Sequence, residues 1–222
     1  MNKKINTIKK GISTQIKGFK RQFSEGSLPD FIIIGAQKAG TTALYDYLLQ
    51  HPSILGASDK EIHFFDRPSS RAKGINWYKK QFPSLDYKKT LEDKFGNKIV
   101  TGEATGAYLF HPLVPQLVHQ SLTDKKPKLK LIVLLREPIS RALSHYHHNL
   151  RFPDREDKSF HEAILLEDAR ISGEIEKVFM DYNYHPTNLL RYSYTRRGFY
   201  MEQIERWMQY FHQENMFFIS SS

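Results

Sequence analysis

The run Phe31-Ile-Ile-Ile-Gly35-Ala-Gln-Lys38-Ala-Gly40-Thr41-Thr42 limits what this chain can fold into more than any other stretch. Four apolar residues in a row suit a strand buried on both faces, the kind found in parallel sheets covered by helices. A turn of small residues follows, and then a helical pattern, Thr42-Ala-Leu44-Tyr45-Asp-Tyr47-Leu48-Leu49, which stops before Pro52. Strand, glycine turn and helix start together build an anion cradle. Backbone N–H groups can approach the ligand closely, and the helix adds the positive end of its dipole. The spacing Gly35-x4-Gly40 copies the nucleoside-triphosphate loop, yet Thr41 stands where that loop has its lysine, and the lysine comes three residues earlier, at Lys38. The candidate anion ligands are thus Gly35, Lys38, Ala39, Gly40, Thr41 and Thr42. The alternative for this segment is a glycine turn that holds nothing.

Further strands are expected at Lys98-Ile-Val-Thr-Gly102-Glu103, at Leu129-Lys-Leu131-Ile-Val-Leu-Leu135 and at Met216-Phe-Phe-Ile219. Helical patterns over 112–122, 138–151, 159–171 and 198–213 alternate with them. That alternation predicts an α/β fold, a P-loop-like three-layer domain whose central parallel sheet is flanked by helices and binds its ligands beyond the carboxyl ends of the strands. The 222 residues suffice for one sizeable core. The break at Gly26, Ser27, Pro29 and Asp30 divides the chain into a basic segment, 1–26, and a catalytic domain, 27–222. With no cysteine in the sequence, disulfides, thiolate zinc sites and cysteine nucleophiles are excluded, and a cytoplasmic location fits.

The formal net charge is +9, which calls for an anionic partner. Much of the excess lies in residues 1–23, where Lys3, Lys4, Lys9, Lys10, Lys17, Lys20 and Arg21 meet no acid. There Ile5, Ile8, Ile12, Ile16, Phe19 and Phe23 recur at helical steps, the pattern of a basic amphipathic helix. It can lie peripherally on an anionic membrane or dock on the protein's own core. The apolar runs Phe31–Ile34 and Leu131–Leu135 are far too short to span a bilayer.

The third strand ends in Arg136-Glu137-Pro138. An NTPase of the familiar kind places an acid there to help hold Mg²⁺, so the guanidinium favours direct capture of an anion without metal. Ser144 stands eight residues on, about two helical turns along, where its hydroxyl can reach the same anion. His145 and His148 share a helical face, but no third ligand accompanies them, and no metal site is expected.

Taken together, these motifs resemble the sulfotransferases that use 3′-phosphoadenosine 5′-phosphosulfate (PAPS), in particular the heparan-sulfate-type and related bacterial branch. The carriers are the loop Gly35–Thr42, Glu61-Ile-His63-Phe64-Phe65, Gly74-Ile-Asn-Trp77-Tyr78 with Phe82-Pro83, Gly102-Glu103-x-Thr105, and Leu135-Arg136-Glu137-Pro138-x-x-Arg141-x-x-Ser144. The resemblance implies that Lys38, Gly40, Thr41 and Thr42 cradle the 5′-phosphosulfate while Arg136 and Ser144 hold the 3′-phosphate. It implies transfer of a sulfuryl group to a hydroxyl or amine of an acceptor, a carbohydrate above all, without metal and without nucleic acid as partner. Lys38 would stabilise the departing charge. Glu61 matches the carboxylate that takes the acceptor's proton in heparan-type members, and His63 is the rival base, on the same face of an extended segment.

Two departures stand out. Ala104 and Gly106 replace the lysine and proline of heparan 3-O-type enzymes, which weakens the case for glucosamine as acceptor. The chain also ends at Ser220-Ser221-Ser222, so the family's basic cofactor-closing loop is expected to be missing. Two other functions compete with sulfuryl transfer: a P-loop kinase or NTPase, and a non-catalytic basic module for anionic surfaces.

Overall fold

The computed structural model describes residues 25–125 and 128–221. The amphipathic helix expected over residues 1–23 lies outside the described residues. The chain enters the sheet through β1 (Phe31–Gly35) and turns into α1 (Thr41–Leu48). After β2 (Ile54–Gly56) come α2 (Pro68–Arg71), α3 (Ile75–Lys79) and α4 (Leu85–Phe95), and then β3 (Val100–Ala104). Next are α5 (Val114–Leu122), β4 (Lys130–Arg136) and α6 (Pro138–Asn149). Four short helices follow: α7 (Phe160–Leu165), α8 (Glu167–Ile171), α9 (Glu174–Met180) and α10 (Thr187–Tyr192). Helix α11 (Tyr200–Met208) then leads to β5 (Met216–Ser221).

The five strands pair in the order β2-β3-β1-β4-β5, and every pairing is parallel. Strand β1 is central and buried along its whole length, as its unbroken apolar run requires. Its side chains alternate between faces. Ile32 and Ile34 join Leu131, Val133, Val118, Leu122 and Trp207 in one core cluster, while Phe31 and Ile33 join Ala104 and Tyr45 in another. Both faces of the sheet are thereby covered, and the three-layer expectation holds. The carboxyl ends of β1 and β4 lie side by side, where sheets of this type bind ligands.

Several elements differ from the sequence reading. Strand β2 is only three residues long, too short for a period-two pattern. The stretch 66–82, outside the helical patterns named above, contains α2 and α3. Helix α4 has a signal that was there to use: Ser84 accepts the Tyr87 N–H at 3.2 Å, and Gly96 ends the helix in the left-handed region. The helix expected over 159–171 starts in a capping box between Ser159 and Glu162 but breaks at Leu166. The reason is Glu167, which is buried and accepts the N–H groups of Thr195 and Arg196 at 2.7 and 2.9 Å. The final helix covers 200–208 of the expected 198–213.

Candidate active site

The loop after β1 is held from three sides. The Ala36 N–H donates to the Leu134 carbonyl at 2.7 Å, and Leu109 N–H donates to the Ile34 carbonyl at 2.7 Å. Arg136 Nη1 donates to the Lys38 carbonyl at 3.1 Å, which ties the end of β4 directly to the loop. Glycine is required twice: a Cβ on Gly35 would lie 2.6 Å from Leu109 Cβ, and Gly40 has φ 98°. Among the described residues only two non-glycines have positive φ, Lys38 at 70° and His63 at 52°. Both are predicted site residues, and left-handed backbone of this kind persists only where the surroundings hold it.

Helix α1 begins at Gly40 with no side-chain cap and no acidic residue in its first turn, so its positive end stays open to an anion. Helix α6, beside it, is capped by its own chain, because Glu137 accepts from Ile139 N–H at 2.8 Å and Ser140 N–H at 2.6 Å. Between them lies a cleft of about 330 Å³ lined by Ala39, Gly40, Arg136, Glu137, Ser140 and Ser221. The Ser221 hydroxyl closes one side, 2.9 Å from the Ala39 carbonyl and 3.0 Å from that of Leu135. Ser144 sits half-buried one helical turn beyond Ser140 on α6. Burial lowers the Lys38 pKa, and the Arg151 charge lowers it further while Glu61 opposes the shift. Thr41 is buried in the first turn of α1 and Thr42 is exposed.

A second cluster adjoins this loop. Lys60 Nζ donates to Thr42 Oγ1 at 2.5 Å and lies 3.2 Å from Glu61 Oε1. His63 Nε2 stands 3.5 Å from Glu61 Oε2, and Nδ1 stands 2.8 Å from Asp66 Oδ2. Glu61 and His63 therefore meet, though by a different route from the extended segment expected: the left-handed turn at His63 brings the ring back between two carboxylates. Burial works against charging the ring, but the hydrogen bonds to Asp66 and Glu61 outweigh it and raise the His63 pKa to about 9. The contact with His63 dominates at Glu61 and holds its pKa down at about 2, against a smaller opposing effect of burial.

Beneath the turn, Glu103 is fully buried, and burial pushes its pKa up to about 7. Its partners Tyr78 and Tyr108 belong to one core cluster with Phe64, Phe65 and Phe82, in which Phe64 and Tyr78 stack at 4.6 Å between ring centroids. Tyr78 and Tyr194 are fully buried, whereas Phe199 is exposed. His145 is buried against the Tyr194 ring at 4.9 Å. Among the described residues no group of three or more histidine, aspartate or glutamate side chains is placed to hold a metal ion. Sequence reasoning missed Lys60, Asp66 and Arg151. Only Asp66 had a usable signal, its i,i+3 spacing from His63.

The fold agrees with what known proteins show. The sulfotransferase domain profile matches residues 28–220, and the chain belongs to that family. It is 34% identical over 184 residues to heparan sulfate glucosamine 3-O-sulfotransferase 5 of Mus musculus, covering 83% of this chain and 45% of the mouse protein. To the membrane-associated sulfotransferase kil1 of Dictyostelium discoideum it is 41% identical over 128 residues, 58% of this chain and 24% of that one. A crystal structure of a sulfotransferase from Alicyclobacillus acidocaldarius superposes with a TM-score of 0.56 at 33% identity, over 87% of this chain and 73% of that one. The chain thus spans about half the length of the curated relatives it matches first.

Proposed function

We propose that this chain transfers a sulfuryl group from PAPS to a hydroxyl of a carbohydrate acceptor. One observation carries the reading: an uncapped helix start with Lys38 and Arg136 beside it is joined, through the Lys60–Thr42 hydrogen bond, to the ionised Glu61. The open donors and the excess of cations fit a phosphorylated nucleotide. When bound, PAPS supplies the sulfuryl group. Lys38 and the N–H groups at Gly40, Thr41 and Thr42 face the charge that builds on the leaving phosphate. Arg136 and Ser144 receive the 3′-phosphate, the guanidinium supplying the stronger hold.

Glu61 serves as the base. With a pKa of about 9, His63 is an imidazolium at neutral pH and has no lone pair to offer, whereas Glu61 is ionised and 44% exposed. Its 3.5 Å contact with His63 is long. An acceptor hydroxyl bound between the Glu61 carboxylate and the His63 ring would replace that contact and return basicity to the carboxylate. His63 and Asp66 then hold the carboxylate and the acceptor in place. The relatives' names include heparan sulfate glucosamine 3-O-sulfotransferase, which supports a carbohydrate acceptor.

The test is transfer of radiolabelled sulfuryl from PAPS to a panel of carbohydrate acceptors in EDTA. Label in at least one acceptor, lost in Glu61→Gln, is expected. No transfer to any acceptor, together with Mg²⁺-dependent ATP turnover, would make the protein an NTPase instead.

A further inference from the structure

The reacting turn 61–66 is irregular chain, and its central residue, His63, holds a backbone conformation unusual for a histidine. Something must fix it there. The ion pairs to Glu61 and Asp66 orient the ring but leave the backbone free. Three successive backbone N–H groups of the turn are instead met by two hydroxyls: His63 N–H faces Thr105 Oγ1 at 3.5 Å, while Phe64 and Phe65 N–H face the Tyr108 hydroxyl at 3.0 and 3.4 Å. A hydroxyl that accepts from an N–H has to aim its own proton elsewhere. Both aim it at Glu103. Thr105 Oγ1 lies 2.6 Å from Glu103 Oε2 and the Tyr108 hydroxyl 3.4 Å from Oε1, with Tyr78 adding a third hydroxyl at 2.6 Å.

We propose that Glu103 is a positioning residue for sulfuryl transfer, its buried carboxylate setting the direction of the Tyr78, Thr105 and Tyr108 hydroxyls and through them the backbone of the turn that carries Glu61 and His63. The inference rests on the reading of that pair as the reacting groups. A carboxylate without solvent is a poor choice for packing alone, since an apolar residue would fill the same space without losing hydration. Among the described residues Glu103 makes no ion pair, so the hydroxyl fan is what keeps it. The dependence is mutual. The ionised carboxylate accepts three hydroxyl protons at once, whereas an amide in its place offers one acceptor oxygen and two donors, and at least one hydroxyl of the fan must reverse. A reversed Thr105 or Tyr108 takes an extra donor on the oxygen that meets the turn's N–H groups, and the two then compete for it.

The test uses Glu103→Gln and Tyr108→Phe in the full chain at pH 8, with folding checked by circular dichroism. Two readouts are followed: kcat and KM for PAPS, and the titration of the His63 imidazole by NMR. In Glu103→Gln, kcat is expected to fall about tenfold or more while KM for PAPS stays within about twofold, and the His63 midpoint should drop as its carboxylate partners loosen. Tyr108→Phe should move both readouts the same way by less. A folded Glu103→Gln with parental kcat and parental His63 titration would overturn the proposal, as would a loss confined to KM. Should Glu103→Gln fail to fold, Tyr108→Phe and Thr105→Val decide by the same readouts. If the parent protein transfers no sulfuryl group, the proposed function fails on its own, and the His63 titration in the variants still decides whether Glu103 positions the turn.

Discussion

In the loop 35–42 the positive end of α1 carries no side-chain cap and Arg136 and Lys38 stand beside it. In the neighbouring turn 61–66, His63 pairs with both Glu61 and Asp66, and Glu61 also pairs with Lys60. The first region is built from backbone. Its shape comes from two glycines, a strand end and a helix start, and its donors wait for a visitor. The second is built from side chains, and its order comes from hydrogen bonds that reach down to a buried carboxylate on another strand. A site for a visiting anion has to leave donors open, while the proposed proton-transfer site has to set the protonation state of its base and its neighbours before the acceptor arrives. The two plans predict separable failures: damage to the loop should appear in nucleotide affinity, and damage to the turn in turnover and in pH dependence.

The largest expected effect breaks the turn alone. Glu61→Gln should lower single-turnover sulfuryl transfer by about 10² or more and leave nucleotide affinity unchanged. His63→Ala should be milder, and near-normal turnover in Glu61→Gln beside a collapse in folded His63→Ala would reverse the assignment. Arg136→Ala breaks the loop side. It should weaken binding of the product nucleotide, 3′-phosphoadenosine 5′-phosphate, by roughly 2 kcal/mol, the loss of a charged contact in a half-buried cleft, as read by calorimetry.

The pH dependence of stability sharpens the contrast. His63 has its pKa raised from 6.5 to about 9, so its contribution is complete below pH 6.5 and is lost as the pH climbs through 9. Glu103, raised from 4.5 to about 7, acts in the same direction, its contribution complete below pH 4.5 and gone above 7. Glu61, lowered from 4.5 to about 2, works oppositely: its contribution is complete above pH 4.5 and is lost as the pH falls from there through 2. The melting temperature should therefore decline between pH 6.5 and 9, and His63→Gln should flatten that decline. Ser221→Ala is the smallest change. It removes one hydroxyl shared between the Ala39 and Leu135 carbonyls and should lower stability by about 1 kcal/mol in a denaturant titration.

The same contrast explains what the sequence made legible. The loop was readable because glycine spacing and an apolar strand are local facts, and so were β3, β4, β5 and the start of α6, whose periodicity or proline marks them. The turn was not readable from the residues alone. Glu61 and His63 emerged through the family resemblance, and their meeting depends on a left-handed backbone at His63 that no local pattern announces. Glu103 stood in a quoted motif, yet its burial and its three hydroxyl partners come from residues 78, 105 and 108, two of them close in sequence and one on α3. Lys60 and Arg151 act on the site through space, from a loop and from a helix end, where no spacing rule applies.

The most direct test of the account is calorimetry with 3′-phosphoadenosine 5′-phosphate against ADP, in EDTA. The open helix start, Lys38 and Arg136 together predict that the 3′-phosphorylated nucleotide binds at least about tenfold more tightly without any metal, since a charged contact is worth more than 1.4 kcal/mol. Equal affinity for the two nucleotides, or binding that appears only with Mg²⁺, would contradict it.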